Sequence, residues 1–156
     1  MNFLNHKIPP PVLLLLTALA MWFGVGHEAA LQSVRELASW RWTAVAVLVV
    51  LSGVFGLGGT WAFRRAKTTV NPLRPEWATS LVDSGVYRIT RNPMYVGFVM
   101  HLAALAIMLP LGWQSAMPLV YALYLTRFQI IPEEQVLLTL FGDEYRAYRA
   151  RVRRWV

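Results

Sequence analysis

Two short polar stretches interrupt a strongly apolar chain, and both carry residue types that hold charged groups. The first, Gly85 to Gly97 (GVYRITRNPMYVG), contains Arg88, Arg91, Asn92 and Tyr95. The second, Pro132-Glu133-Glu134, precedes a basic and aromatic tail. Guanidinium, amide and carboxylate groups make the strong, charge-assisted class of hydrogen bonds, either with one another or with an ionic ligand.

Each stretch also has a plainer reading. Asn92-Pro93 is a good helix start, with Asn as N-cap and Pro at the first helical position. Tyr95 then becomes an interfacial aromatic, and Arg88 and Arg91 become anchors on a basic membrane face. Pro132 can open a helix whose positive N-terminus favours Glu133 and Glu134. The tail adds a further constraint. Leu138, Phe141, Tyr145, Tyr148, Val152 and Trp155 follow at helical spacing and form one stripe, with Glu134 at its head. A carboxylate on that inward face needs a cationic partner. Gly142-Asp143 is the point at which this helix is expected to break, with Asp143 capping a second one. His101 sits within an apolar segment, either as a functional group or as a neutral side chain bonded to a neighbouring helix.

These residues are positioned by four apolar segments, at 10–26, 43–63, 93–109 and 113–131. A bilayer core of about 30 Å needs roughly 20 helical residues, so the first and third are short. The expected fold is an all-α integral membrane domain over residues 1–156, with four transmembrane helices and an amphipathic cytoplasmic segment at 132–156. Pro110-Leu111-Gly112 makes the last two spans a hairpin, which returns the chain to the face holding the first polar stretch. Arg64, Arg65, Lys67, Arg74, Arg88 and Arg91 follow the second span, and Arg146, Arg149, Arg151, Arg153 and Arg154 follow the fourth. Between the first two spans Arg35 and Arg41 are offset by Glu28 and Glu36. The positive-inside rule therefore puts both polar stretches and both termini on the cytoplasmic side of a cell membrane. A signal peptide ending near Ala18-Leu19-Ala20 after Lys7 is the rival for the first span; the apolar run continues through Phe23, which favours an uncleaved helix. Ser52, Gly56 and Thr60 recur at spacing four and are expected to admit close helix packing.

Composition narrows the function. Hydrophobic residues make up 56% of the 156 and charged residues 15%, below the quarter or so usual for soluble domains. The net charge of +7 flanks apolar spans, so it serves orientation and contact with membrane lipid, not nucleic acid. No cysteine is present, which excludes thiol catalysis and thiolate metal sites. Three scattered histidines give no expectation of a metal.

The ordered string Arg91-Asn92-Pro93-Met94-Tyr95-Val96-Gly97, then Glu133-Glu134, then Phe141-Gly142-Asp143-Glu144-Tyr145-Arg146-Ala147-Tyr148, resembles the signature of the isoprenylcysteine carboxyl methyltransferase and phospholipid methyltransferase family. The resemblance covers about residues 68–156. It implies S-adenosylmethionine as methyl donor, with Arg91, Asn92, Tyr95, Gly97, Glu133, Glu134, Tyr145 and Tyr148 around the cofactor and Arg91, Asn92 and Glu134 serving catalysis. Glu134, or second Glu133, then suits the donor's ammonium, and Arg91 or Asn92 its carboxylate. The family's usual His is Asn92 here, so this position cannot transfer a proton. The implied acceptor is lipid-linked or amphipathic: an isoprenylcysteine-like carboxylate, a lipid or a thiol, with His101 as a candidate contact. An NADPH-dependent membrane reductase of the sterol reductase type and a non-catalytic four-helix protein or small transporter are the alternatives.

Overall fold

The computed structural model describes residues 8–66 and 77–156, so His6, Lys7, Lys67 and Arg74 lie outside the described residues. All regular structure among the described residues is helical, apart from an isolated parallel bridge between Thr90 and Arg153. Helix α1 (Pro10–Gly24) meets α2 (His27–Arg35) at a 90° bend. Helix α3 (Ser39–Arg65) follows, and after a 3-10 turn at Gly85–Arg88 comes α4 (Pro93–Met108). A second 3-10 turn at Trp113–Ala116 leads into α5 (Met117–Leu125). A π-helical turn, Thr126–Ile130, joins α5 directly to α6 (Ile131–Arg151).

The four expected apolar segments are all helical, but their lengths differ from the expectation. Among the described residues, helix α3, at 27 residues or roughly 40 Å, is the one helix long and apolar enough to cross a bilayer alone; α1 and α2 pass the same measure only as a bent pair. Helix α4 is apolar but has 16 residues. The fourth segment does not end before Pro132. A proline has no N–H to give the preceding turn, and the π-turn just ahead of it carries the helix through without a stop. Helix α2 differs from the expectation: its nine residues, five of them polar or charged, have neither the length nor the apolar run of a span.

Helices α3 and α4 lie side by side along the small-residue stripe. A Cβ on Gly97 would sit 3.0 Å from the Ser52 carbonyl oxygen and 3.4 Å from the Gly56 nitrogen, so only glycine allows the two backbones this close. Beside it, His101 Nδ1 lies 2.5 Å from Ser52 Oγ and 3.1 Å from the Gly97 oxygen. This is the bonded-neighbour arrangement. On the other flank of α4, Met21, Ala30, Tyr95, Leu102, Leu109, Tyr121, Leu125 and Ile130 form the core. The outer face of α3 leaves Val47, Val50, Val54, Leu57 and Trp61 exposed, a continuous apolar surface that suits lipid rather than water.

The fold has two opposite ends. Gly24, α2, the start of α3 and the α4–α5 turn gather at one, where Ser33 Oγ donates to Met108 O at 2.9 Å and Arg41 Nη2 to Leu109 O at 3.2 Å. The end of α3, the 3-10 turn at Gly85–Arg88 and the start of α6 gather at the other, where Phe63 packs edge-on against Tyr87. Both polar stretches are at this second end.

Candidate active site

Helix α4 begins at Pro93, whose fixed φ and missing N–H suit a first turn. Asn92 is its N-cap residue, yet its side chain makes no cap bond. Asn92 Nδ2 instead donates to Arg154 O at 3.0 Å, beside a Thr90 Oγ1 bond to the same oxygen, also at 3.0 Å. Arg91 N donates to Arg153 O at 2.9 Å. The chain after α6 is thus stitched along residues 90–92.

That stitching corrects the expected tail. The stripe predicts a helix through Trp155, but α6 ends at Arg151 and Val152 is extended (φ −122°, ψ 134°). Backbone partners on residues 90 and 91 win over continued helix there. The expected break is at Gly142 (φ 48°, ψ −118°), a left-handed conformation that favours glycine. Either side of the kink, Glu134, Tyr145 and Tyr148 are buried while Leu138 and Phe141 are partly buried. Trp155, though off the helix, packs on the core and donates its indole N–H to Thr126 Oγ1 at 3.1 Å.

Glu134 lies between two guanidinium groups. Arg91 Nη2 donates to its Oε1 at 2.6 Å; Arg154 Nη2 donates to Oε2 at 2.7 Å and Arg154 Nε to Oε1 at 3.0 Å. Burial alone would raise the Glu134 carboxyl, but the hydrogen bonds and charges of Arg154 and Arg91 outweigh it and hold it below the usual carboxylate range. Arg91 is fixed further by Nη1 bonds to Val152 O at 2.9 Å and Arg149 O at 3.2 Å. Its Nε is buried with no hydrogen-bond partner.

Glu133 has a different environment. Tyr95 OH donates to its Oε2 at 3.3 Å, and among the described residues no guanidinium reaches it. Burial pushes its carboxyl up to about 7, the Tyr95 hydrogen bond opposing and the Glu134 charge adding to the rise. Tyr145 and Tyr148 lie with ring centroids 6.2 Å apart, and burial keeps both phenols protonated. Tyr148 OH donates to Tyr87 O at 2.8 Å.

The structure therefore brings together Arg91, Asn92, Tyr95, Glu133, Glu134, Tyr145 and Tyr148 at one end. Gly97 faces α3 instead, and His101 bonds across the same α3–α4 seam. Arg154 joins the cluster without having been singled out from the sequence. Among tail arginines at 146, 149, 151, 153 and 154 nothing distinguishes it, since its role depends on the chain leaving the helix at Val152.

The phospholipid methyltransferase family model matches residues 40–144, well over half of the chain. The chain belongs to that family. An uncharacterised Haemophilus influenzae protein is 38% identical over 65 residues, covering 40% of this chain and all of that protein. Protein-S-isoprenylcysteine O-methyltransferase of Schizosaccharomyces pombe is 39% identical over 75 residues, 46% of this chain and 30% of the relative. Methanethiol S-methyltransferase 1 of Bradyrhizobium diazoefficiens is 35% identical over 81 residues, 50% of this chain and 25% of the relative. The chain thus spans under a third of the length of these two named methyltransferases. No solved structure matches. The family resemblance drawn from the motif string is confirmed. It favours a membrane methyltransferase over the reductase and transporter alternatives. Among the described residues no cluster of His, Cys, Asp or Glu could hold a metal.

Proposed function

We propose that this protein is an integral membrane methyltransferase that binds S-adenosylmethionine at the Arg91–Glu134 end and methylates an acceptor arriving from the bilayer. The observation that carries this reading is a pair of incomplete groups of opposite sign. Among the described residues, Arg91 Nε is a buried donor without a partner and Glu133 is a carboxylate without a guanidinium. A methionyl moiety carries both a carboxylate and an ammonium, and those two groups fit Arg91 and Glu133. Glu134 is already satisfied by Arg91 and Arg154, so the geometry favours Glu133 for the ammonium and gives Glu134 the task of holding Arg91 in place. Tyr95, Tyr145 and Tyr148 supply aromatic surface for adenine and sulfonium, and Asn92 fixes the tail that closes the cluster.

The bound cofactor supplies an electrophilic methyl group. The protein's own contribution is to position the acceptor in line and to exclude water. The acceptor is a lipid-linked carboxylate, a lipid or a thiol, as the relatives' names suggest. Four spans, a multi-pass cell-membrane location and cytoplasmic termini complete the proposal; the apolar segments support the spans, and Arg64, Arg65, Arg88 and the tail arginines support the orientation.

Thermal unfolding with S-adenosylhomocysteine tests the assignment, because a ligand of the folded state raises its apparent stability by mass action. A rise with S-adenosylhomocysteine and none with NADPH is expected. No rise at saturating S-adenosylhomocysteine, or a rise with NADPH alone, overturns it.

A further inference from the structure

At the end remote from the Arg91–Glu134 cluster, a cavity of about 670 Å³ opens between the start of α3 and the α4–α5 hairpin. That volume lies within the range of about 300–1,000 Å³ typical of ligand sites. Its walls are aliphatic, from Ala103, Ala106, Ile107 and Leu119, and Arg41 stands at its mouth. The α4 residues that line it begin at Ala103, 11 positions beyond Asn92, roughly 16 Å along the helix, so it is not part of the cofactor site.

Arg41 is half-buried and positively charged, and no described carboxylate pairs with it. Its Nη2 is held by the carbonyl oxygens of Ile107 and Leu109 at the end of α4. Those carbonyls fix the guanidinium without neutralising it, and neither Nε nor Nη1 has a partner among the described residues. A partly desolvated cation in that position calls for an anion. Trp40, Trp42 and Trp113 are exposed at the same end, as tryptophans are at the headgroup level of a bilayer.

From the juxtaposition of an aliphatic cavity and an uncompensated Arg41 we infer that this end binds an anionic phospholipid of the opposite leaflet, with its phosphate on Arg41 and an acyl chain along Ala103, Ala106 and Leu119. Neutral walls alone would accept any chain. The charge at the mouth selects a headgroup that carries net negative charge, and the cavity requires that the charge be attached to a hydrocarbon. The inference rests on membrane insertion of the fold and is independent of methyl transfer.

Thermal unfolding of the purified full chain in zwitterionic detergent, with dioleoyl phosphatidylglycerol, dioleoyl phosphatidylcholine or inorganic phosphate added, tests it. Phosphatidylglycerol is expected to raise the midpoint by about 5 °C at saturation, and the other two by no more than about 1 °C. Arg41→Lys keeps the response, because it keeps the charge. Arg41→Gln loses it, and so does Ala106→Phe, which fills the cavity while leaving Arg41 intact. Ala106→Phe decides the matter if Arg41→Gln does not fold. Equal responses to the two lipids, a response reproduced by phosphate, a response retained in Ala106→Phe, or one that tracks dimer formation instead of lipid would each overturn the inference. The S-adenosylhomocysteine shift should stay unchanged in Ala106→Phe; its loss would mean that the two sites are one.

Discussion

The two ends of this bundle use arginine differently. Arg91 and Arg154 surround a buried glutamate, so both guanidinium groups share one carboxylate in a water-poor setting and the three side chains fix one another. Arg41, at the opposite end, is tied to carbonyl dipoles and keeps its charge. A matched ion pair gives shape: removing one partner leaves an unpaired buried charge. An unmatched, anchored cation gives an attraction, with little of the fold depending on it. The same residue type thus builds a scaffold at one end and a point of recognition at the other.

The sharpest way to break that contrast is to remove charge from each end in turn. Glu134→Leu leaves two guanidinium groups facing each other and is expected to cost about 3–5 kcal/mol, read as a lowered unfolding midpoint with loss of S-adenosylhomocysteine binding. Arg41→Leu should cost only about 1 kcal/mol, the loss of hydrogen bonds at a helix end, and leave that binding intact. Comparable losses at both ends would erase the distinction.

Glu133 sharpens the comparison within one end. Its carboxyl is raised to about 7 while that of its neighbour Glu134 is lowered. A raised folded-state value means that the folded chain holds the proton more tightly than the unfolded one. The Glu133 contribution to stability is therefore complete below the ordinary carboxylate value and is lost as pH rises towards about 7. Glu134 contributes in the opposite sense, its stabilisation present at neutral pH and lost as pH falls through its lowered value. The proposed pairing of Glu133 with the ligand's ammonium requires Glu133 ionised, so affinity for S-adenosylhomocysteine should weaken about tenfold per pH unit below about 7 and lose this dependence in Glu133→Gln. Calorimetric titration of both proteins across pH 5.5–8.5 checks this; an unchanged profile in the variant removes Glu133 from the site. The smallest effect is expected for Asn92→Ala, about 1 kcal/mol for one hydrogen bond to the tail, seen as faster amide exchange in residues 152–155.

Much of this was legible from residue order. Apolar run length located α1, α3 and α4, and Pro110-Leu111-Gly112 located the hairpin, because a span needs an unbroken apolar stretch and a turn needs its breakers. The Arg91–Glu134 neighbourhood was also legible, since Glu134 heads an inward stripe and a buried carboxylate needs a cation. The kink at Gly142 was foreseeable from a glycine followed by a capping residue. Arg154 was not, because the reason the chain leaves the helix at Val152 is a set of backbone bonds to residues 90 and 91 that no local pattern records. Nor was the lack of a stop at Pro132, where a widened turn absorbs the missing donor. The π-turn is a tertiary accommodation, and helical periodicity alone reads straight through it.

The Arg91, Glu134 and Arg154 contacts join positions 43 and 20 residues apart, and this has a consequence for assembly order. Helix pairs such as α4 and α5 can associate as soon as both have been made. Glu134 gains its second cation only when the tail has crossed back over the start of α4. Until then the Glu134 carboxylate lacks the hydrogen bonds of Arg154, and Arg91 lacks those to the carbonyls of the tail. The binding end should therefore be the last part of the molecule to become rigid, and a nascent chain halted before Arg154 should have its helices in place while the pocket is still unset.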